Sequence, residues 1–189
     1  MVHRALLPSS CLALCILLQA CGPAPLRHYD ASVAEPLIVD GLAYMKGTPF
    51  SGRLYQLAAN RRDTLYRRDY QDGKAHGWEL SWHVNGQLQA YRFYKSGRRE
   101  GVHRIFWPNG RLRSLYTYLE DRYEGPQYEW YENGQPCSIK HYHEGQEHGL
   151  QQVFTMQGKM FSNYEAKNGR NYGNIGTKHC TPEAIPVVQ

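Results

Sequence analysis

The sequence lacks the short motifs by which common enzyme classes are detected. It contains no nucleophile elbow, no phosphate-binding loop and no HExxH motif. Its glycine pairs do not resemble a phosphate-binding loop, because each pair is followed by a predicted strand and not by a helix. We therefore predict a protein that is not an enzyme and that has no cofactor and no metal site.

The chain also lacks a run of charges of one sign. Its formal net charge is +5, and the basic residues are spread along the sequence. Nucleic-acid binding would need a basic stripe on one face of the protein. We therefore expect no nucleic-acid partner, and the mild excess of basic residues argues only weakly for any anionic partner.

No apolar run reaches the roughly 20 residues that a membrane-spanning helix needs. The apolar run at residues 11–18 has the size of a signal-peptide core. It leads into Leu18-Gln19-Ala20-Cys21, which resembles the lipobox of bacterial lipoproteins. The resemblance implies that residues 1–20 are a signal peptide and that Cys21 carries lipid. An ordinary secretory signal followed by an accidental cysteine is the alternative.

The expected mature protein is attached to a membrane without spanning it, because several acyl chains on one residue anchor far more firmly than a single chain. Gly22 follows the lipidated cysteine, which by the same resemblance is compatible with an outer membrane and a position facing the periplasm. Residues 21–38 contain Gly-Pro and Glu-Pro pairs that break helices and strands. We predict a flexible tether there.

Cysteine is scarce in the expected mature chain. Two of the five cysteines lie in the signal peptide and Cys21 would be acylated, so Cys137 and Cys180 remain. An oxidising compartment favours a disulfide between them. A metal site formed by this pair with a nearby histidine is the alternative, although the ligand spacing matches no standard motif.

Glycine and aromatic residues, in contrast, are abundant and recur at a fixed period. The sequence has 18 Gly, 15 Tyr, 5 Phe and 4 Trp. Glycine recurs every 24 residues from Gly77 to Gly173, and the columns that begin at Tyr70, Trp82 and Gly86 keep the same step. No insertion interrupts them, so the chain is predicted to be an array of repeated units.

Each unit is predicted to be a β-hairpin. Asn85-Gly86 lies between runs of alternating apolar residues, which is a strong hairpin signal, and three glycines per unit disfavour a helix. We therefore predict an all-β fold of stacked antiparallel hairpins over residues 39–173. The first repeat, at residues 39–70, is irregular, with one extra residue expected in residues 58–62. Residues 174–189 are expected to cover the other end of the array.

The loop length decides which side chains share a face. We favour a three-residue loop with Gly86 in the left-handed region, because it places Trp82, Leu88, Ala90 and Tyr94 on one face. Position 90 is small in every unit and is expected to pack beside large rings. Positions 79, 81 and 83 vary in type, so we expect them to face water or a partner.

The unit of Gly-x-x-x-Gly, aromatic, Asn-Gly, Leu and Tyr resembles the MORN repeat, in the bacterial variant often described as the YwqK family of antitoxins. The opening Lys-Gly-Thr-Pro-Phe-Ser-Gly of residues 46–52 is similar to the start of those proteins. The resemblance covers residues 41–173. It implies stacked hairpins with a role in binding or scaffolding, here in a lipoprotein.

Aromatic residues that a thin sheet cannot bury are the best candidates for partner binding. We select Tyr91, Phe93, Trp107 and Tyr131, because aromatic faces are enriched in binding hot spots. An equally weighted interpretation is that the rings stack along the sheet and protect it. His141 and His143 share a strand face that could suit a metal, but no third ligand follows at a standard spacing.

The sequence thus predicts a lipid-anchored, non-catalytic module of the cell envelope that binds a protein or a glycan through its sheet surface. The alternative is an immunity or antitoxin protein that neutralises a toxin or secreted effector in the envelope.

Overall fold

The computed structural model describes residues 26–60 and 62–176, and in these ranges the protein is all-β. No helix in the described ranges is long and apolar enough to cross a membrane. The strands are short, as expected for stacked hairpins. They are β1 (His28–Asp30), β2 (Leu37–Val39), β3 (Leu42–Met45), β4 (Thr48–Pro49), β5 (Gly52–Leu57), β6 (Thr64–Gln71), β7 (Lys74–Trp82), β8 (Leu88–Lys95), β9 (Arg98–Arg99), β10 (Gly101–Phe106), β11 (Leu112–Leu119), β12 (Arg122–Tyr123), β13 (Gly125–Trp130), β14 (Pro136–His143), β15 (Gln146–Glu147), β16 (Gly149–Phe154), β17 (Met160–Lys167) and β18 (Arg170–Asn174).

One long sheet contains most of these strands. From β5 onward, neighbouring strands pair in antiparallel order as far as β18, with β9, β12 and β15 pairing at one rim. Each 24-residue unit thus adds one hairpin to the sheet, as the period predicted. The order of strands follows the sequence, so contacts form between neighbouring units.

The hairpin loops have the predicted odd length. In the second hairpin, His83 N–H donates to Gln87 O (2.8 Å) and Gly86 N–H donates to His83 O (2.9 Å). These bonds enclose a three-residue loop, and Gly86 has a φ of 83°, which a side chain would disfavour. The equivalent loop of the first hairpin is closed by Ala58 N–H donating to Asp63 O, so the extra residue lies where it was expected.

A second irregularity makes part of the predicted face assignment wrong. Trp82 pairs with Leu88, but Ser81 pairs with Ala90, so Gln89 is an extra residue in the β8 strand. Directly opposed residues share a face, and successive residues alternate, so this bulge puts Ala90 and the following Tyr94 on the face opposite Trp82. The same shift recurs in the next three hairpins.

Position 79 and its equivalents are buried, contrary to the expectation that they face water or a partner. The four side chains are between 0% and 4% exposed; they are Glu79, His103, Gln127 and Gln151. Gln127 accepts from Thr117 N–H (2.8 Å) and donates to Thr117 O, and Gln151 bridges His141 N–H and O in the same way. We call these four positions the bridging slot. The side chains of His103, Gln127 and Gln151 replace backbone bonds where adjacent hairpins separate, whereas Glu79 binds arginine side chains of both neighbouring strands.

The first hairpin has its own apolar core and a second, smaller sheet. Ala43, Phe50, Leu54 and Tyr70 are buried together, and partly buried residues of β1 and β3 pack against them. Strands β2, β3 and β4 form the small antiparallel sheet, while β1 pairs in parallel with β5. The expected tether, residues 21–38, therefore includes a strand that covers the first edge of the long sheet. At the other end, residues 177–189 of the expected cap lie outside the described residues.

Candidate binding surface

One face of the long sheet presents a continuous row of side chains, which are half-buried except for the exposed Asn163 at the end of the row. Each member is directly opposite the next across neighbouring strands, from β5 to β17. We call this surface the aromatic face. Its central row is Tyr55, Arg67, Leu80, Tyr91, Arg104, Leu115, Tyr128, Ile139, Gln152 and Asn163.

The densest part of the aromatic face lies on β7 and β8. The Trp78 ring stacks on Tyr91 with centroids 4.3 Å apart and meets Phe93 edge-on at 4.7 Å. Trp78 is 37% exposed, so the stack is open to a partner. The guanidinium of Arg104 lies 6.0 Å from the Tyr91 ring centroid, which adds a positive charge to the aromatic cluster.

The structure brings two of the four predicted partner-binding residues together in this cluster. Tyr91 and Phe93 both contact Trp78, which the sequence reasoning did not select. Arg104 was missed as well. The signal that finds both residues is the strand register, since Trp78 opposes Phe93 and Arg104 opposes Tyr91.

The other two predicted residues have their polar atoms bound to the next repeat. Trp107 Nε1 donates to Trp130 O (3.1 Å), and the Tyr131 hydroxyl donates to Phe154 O (2.9 Å). His83 occupies the same position and its Nε2 lies 3.0 Å from Phe106 O. Position 83 thus links successive hairpins, which differs from the expectation that it faces water or a partner.

The opposite face of the sheet is lined by small residues and by polar groups that satisfy each other. Ala90, Ser114, Ser138 and Ser162 are buried in its central row. The buried Glu79 carboxylate is held by two guanidinium groups, those of Arg68 and Arg92. These two ion pairs tie the carboxylate of β7 to arginines on β6 and β8.

A second carboxylate on this face is also fully engaged. Glu129 accepts from the Tyr116 hydroxyl and from Ser138 Oγ at 2.8 Å. Burial raises the pKa of the Tyr116 phenol, with a further contribution from its bond to Glu129. Because burial also raises the pKa of the adjacent Tyr123, both phenols remain protonated near neutral pH. Glu129, Tyr116 and Ser138 thus hold each other by hydrogen bonds on this face.

The repeated acidic residues at the rim accept hydrogen bonds from the backbone of the next turn. Glu100 accepts from Glu120 N–H (3.1 Å) and Glu124 accepts from Glu144 N–H (2.9 Å). His143 also binds Glu124, which raises the pKa of His143 through the hydrogen bond. Among the described residues, no group of three or more histidines, cysteines and acids could hold a metal ion.

The predicted lipidation and disulfide residues are only partly within the described structure. Cys21 and Cys180 lie outside the described residues. Cys137 is buried, and Phe161 occupies its position in the next hairpin. Gly176, four residues before Cys180, lies so close to Phe161 that a Cβ there would be 3.0 Å from the ring. Gly176 therefore lies beside β17, in the hairpin that follows the one containing Cys137. The Cys137–Cys180 disulfide stays a prediction.

Comparison with known families identifies the repeat. Residues 99–120 and 123–144 each match a family model described as a MORN repeat variant. The two matches correspond to consecutive units of the 24-residue array, so the chain contains MORN repeats. No curated protein matches the chain.

Proposed function

We propose that this protein is a non-catalytic binding module, anchored by lipid on Cys21 in the cell envelope, and that it docks a partner protein on its aromatic face. The observation that carries the proposal is the open cluster of Trp78, Tyr91 and Phe93 beside Arg104. Aromatic residues and arginine are the residue types most enriched in binding hot spots. An extended sheet face suits a partner surface better than a small substrate.

The polar residues support a role without catalysis. Glu79, Glu124 and Glu129 are each committed to hydrogen bonds or ion pairs within the sheet. A general acid or base must exchange a proton with a substrate, and carboxylates already bound within the sheet are poorly suited to that role. The proposed location, the periplasmic side of an outer membrane, depends on the lipobox and on Gly22.

Site-specific photo-crosslinking in intact envelopes tests the docking face. A photoreactive phenylalanine replaces Arg104 on the aromatic face, or Lys140 on the opposite face as the matched control, since both positions are half-buried. We expect one dominant crosslinked protein from position 104 and none from position 140. Equal products from both positions, or none from position 104, would refute the assignment.

Two further observations complete the test. Replacing Cys21 by serine should release the protein from membranes, and continued membrane attachment of that variant would contradict the anchor. The identity of the crosslinked protein separates two versions of the proposal. A structural envelope protein supports a scaffold, whereas a toxin or secreted effector supports an immunity protein. Capture of a polysaccharide in place of a protein would overturn both versions.

A further inference from the structure

Several large apolar side chains near the start of the described chain are exposed to solvent. Val33 is 79% exposed, Leu37 68% and Ile38 57%, and Leu26 and Val39 are also exposed. Leu37 and Val39 alternate with Ile38 along β2 and share one face, where Tyr44 of β3 lies opposite Leu37. We call Leu37, Val39 and Tyr44 the N-terminal apolar patch, since these residues line one shallow depression. Single exposed apolar residues are ordinary, whereas adjacent ones on one face indicate an interaction surface.

Hydrogen bonds hold the segment that contains this patch against the long sheet. Arg53 N–H donates to Arg27 O (2.7 Å), and β1 pairs with β5 over three residues. Ala43 N–H of the small sheet donates to Gly73 O of the β6–β7 turn (2.8 Å). Strand β2, which contains Leu37 and Val39, pairs only with β3 among the described strands. The patch therefore has a defined position at the first end of the sheet.

The short distance between the proposed anchor and this end of the sheet indicates that a membrane covers the patch. Cys21 precedes Leu26 by five residues, and five residues span at most about 18 Å. An acylated Cys21 therefore holds this end of the sheet within that distance of the lipid headgroups. Exposed aliphatic side chains at such a distance gain from entering the interfacial region of the bilayer.

We infer that the N-terminal apolar patch inserts into the interfacial region of the same bilayer that holds the lipid anchor. The inference rests on the proposed acylation of Cys21. Its consequence is that the membrane docks the first end of the sheet, so that the array projects from the surface in a defined orientation. The aromatic cluster on β7 and β8 then lies near the membrane end of the array.

Depth measurements on the acylated protein test this inference. The protein is reconstituted in vesicles of phosphatidylethanolamine and phosphatidylglycerol, with an environment-sensitive fluorophore on Leu37→Cys or, as the matched control, on Val84→Cys. Val84 is 98% exposed on a hairpin loop. The unsubstituted protein, treated identically, provides the background from its own cysteines. Far-UV circular dichroism checks that both variants keep the β-fold.

We expect nitroxide-labelled lipids to quench the label at position 37 at least about fivefold more than the label at position 84, as expected for insertion to the headgroup boundary. If aqueous iodide quenches both labels equally while the protein floats with the vesicles, the inference is wrong and the anchor stands. Protection from iodide without quenching by lipid nitroxides would also overturn it, in favour of contact with a second copy. Failure of the protein to float with vesicles would refute the proposed anchor itself.

Discussion

Replacing Gln127 by alanine should destabilise the protein far more than its polar character suggests. The side chain is 4% exposed, and its Oε1 accepts from Thr117 N–H at 2.8 Å. Its Nε2 donates to the carbonyls of Thr117 (3.2 Å), Glu124 (3.0 Å) and Gly125 (3.2 Å). Strands β11 and β13 pair directly only at two positions, so this amide continues their connection.

The magnitude follows from the groups that lose their partners. Thr117 O keeps a bond from Glu124 N–H (3.0 Å), but Thr117 N–H is left without its acceptor. An unsatisfied donor costs about 1–3 kcal/mol, and the cavity left by the truncated side chain adds about 1 kcal/mol. We therefore expect Gln127→Ala to lower the free energy of unfolding by about 2–4 kcal/mol.

Urea unfolding, followed by tryptophan fluorescence, measures this loss. Gln127→His is the informative second variant, because His103 occupies the same slot and contacts Phe93 O at 2.9 Å. It should lose less than about 1.5 kcal/mol, and Gln157→Ala on an exposed loop should stay within about 0.5 kcal/mol of the wild type. Hydrogen exchange should show lost protection at the Thr117 amide. A Gln127→Ala variant as stable as the loop control, with that amide still protected, would refute the bridging role.

Burial lowers the pKa of His103 below its ordinary 6.5, so the unfolded chain binds a proton more readily and stability falls as the pH drops below about 6.5. His103→Gln should show a smaller loss of unfolding free energy between about pH 7.5 and pH 5, and equal losses would contradict the assignment. Trp107→Phe removes the bond to Trp130 O and should cost about 0.5–1.5 kcal/mol in urea unfolding. A Trp107→Phe variant that loses the crosslinked partner at unchanged stability would instead favour the predicted binding role. Alkylation of the exported protein followed by mass spectrometry should find Cys137 and Cys180 modified only after reduction, and reduction should cost about 3–4 kcal/mol. Two free thiols under non-reducing conditions would exclude the disulfide.

Several local features were predictable because they depend on a few neighbouring residues. The Asn85-Gly86 pair predicts a tight turn, and the three-residue loop is confirmed by the bond between His83 and Gln87. The position of the extra residue in the first hairpin follows from counting against the 24-residue period. Each of these predictions needs only turn chemistry and periodicity.

The candidate surface was less predictable. Tyr91 and Phe93 were selected for their aromatic character, but their stacking with Trp78 depends on cross-strand register. Trp107 and Tyr131 have the same character, yet their polar atoms bind backbone carbonyls 23 residues further along the chain. Residue type alone does not distinguish an aromatic that is open to a partner from one that ties two repeats together.

The sequence by itself determined that the chain is an array of β-hairpins, because the 24-residue period repeats the same turn in every unit. The tertiary structure alone decided which side chains share a face, since the bulge at Gln89 reverses the alternation and no apolar pattern marks it. It also decided that Glu79, His103, Gln127 and Gln151 are buried. In a single-layer sheet, burial comes from neighbouring side chains and from unpaired backbone groups that must be satisfied, so polar residues can occupy its most enclosed positions.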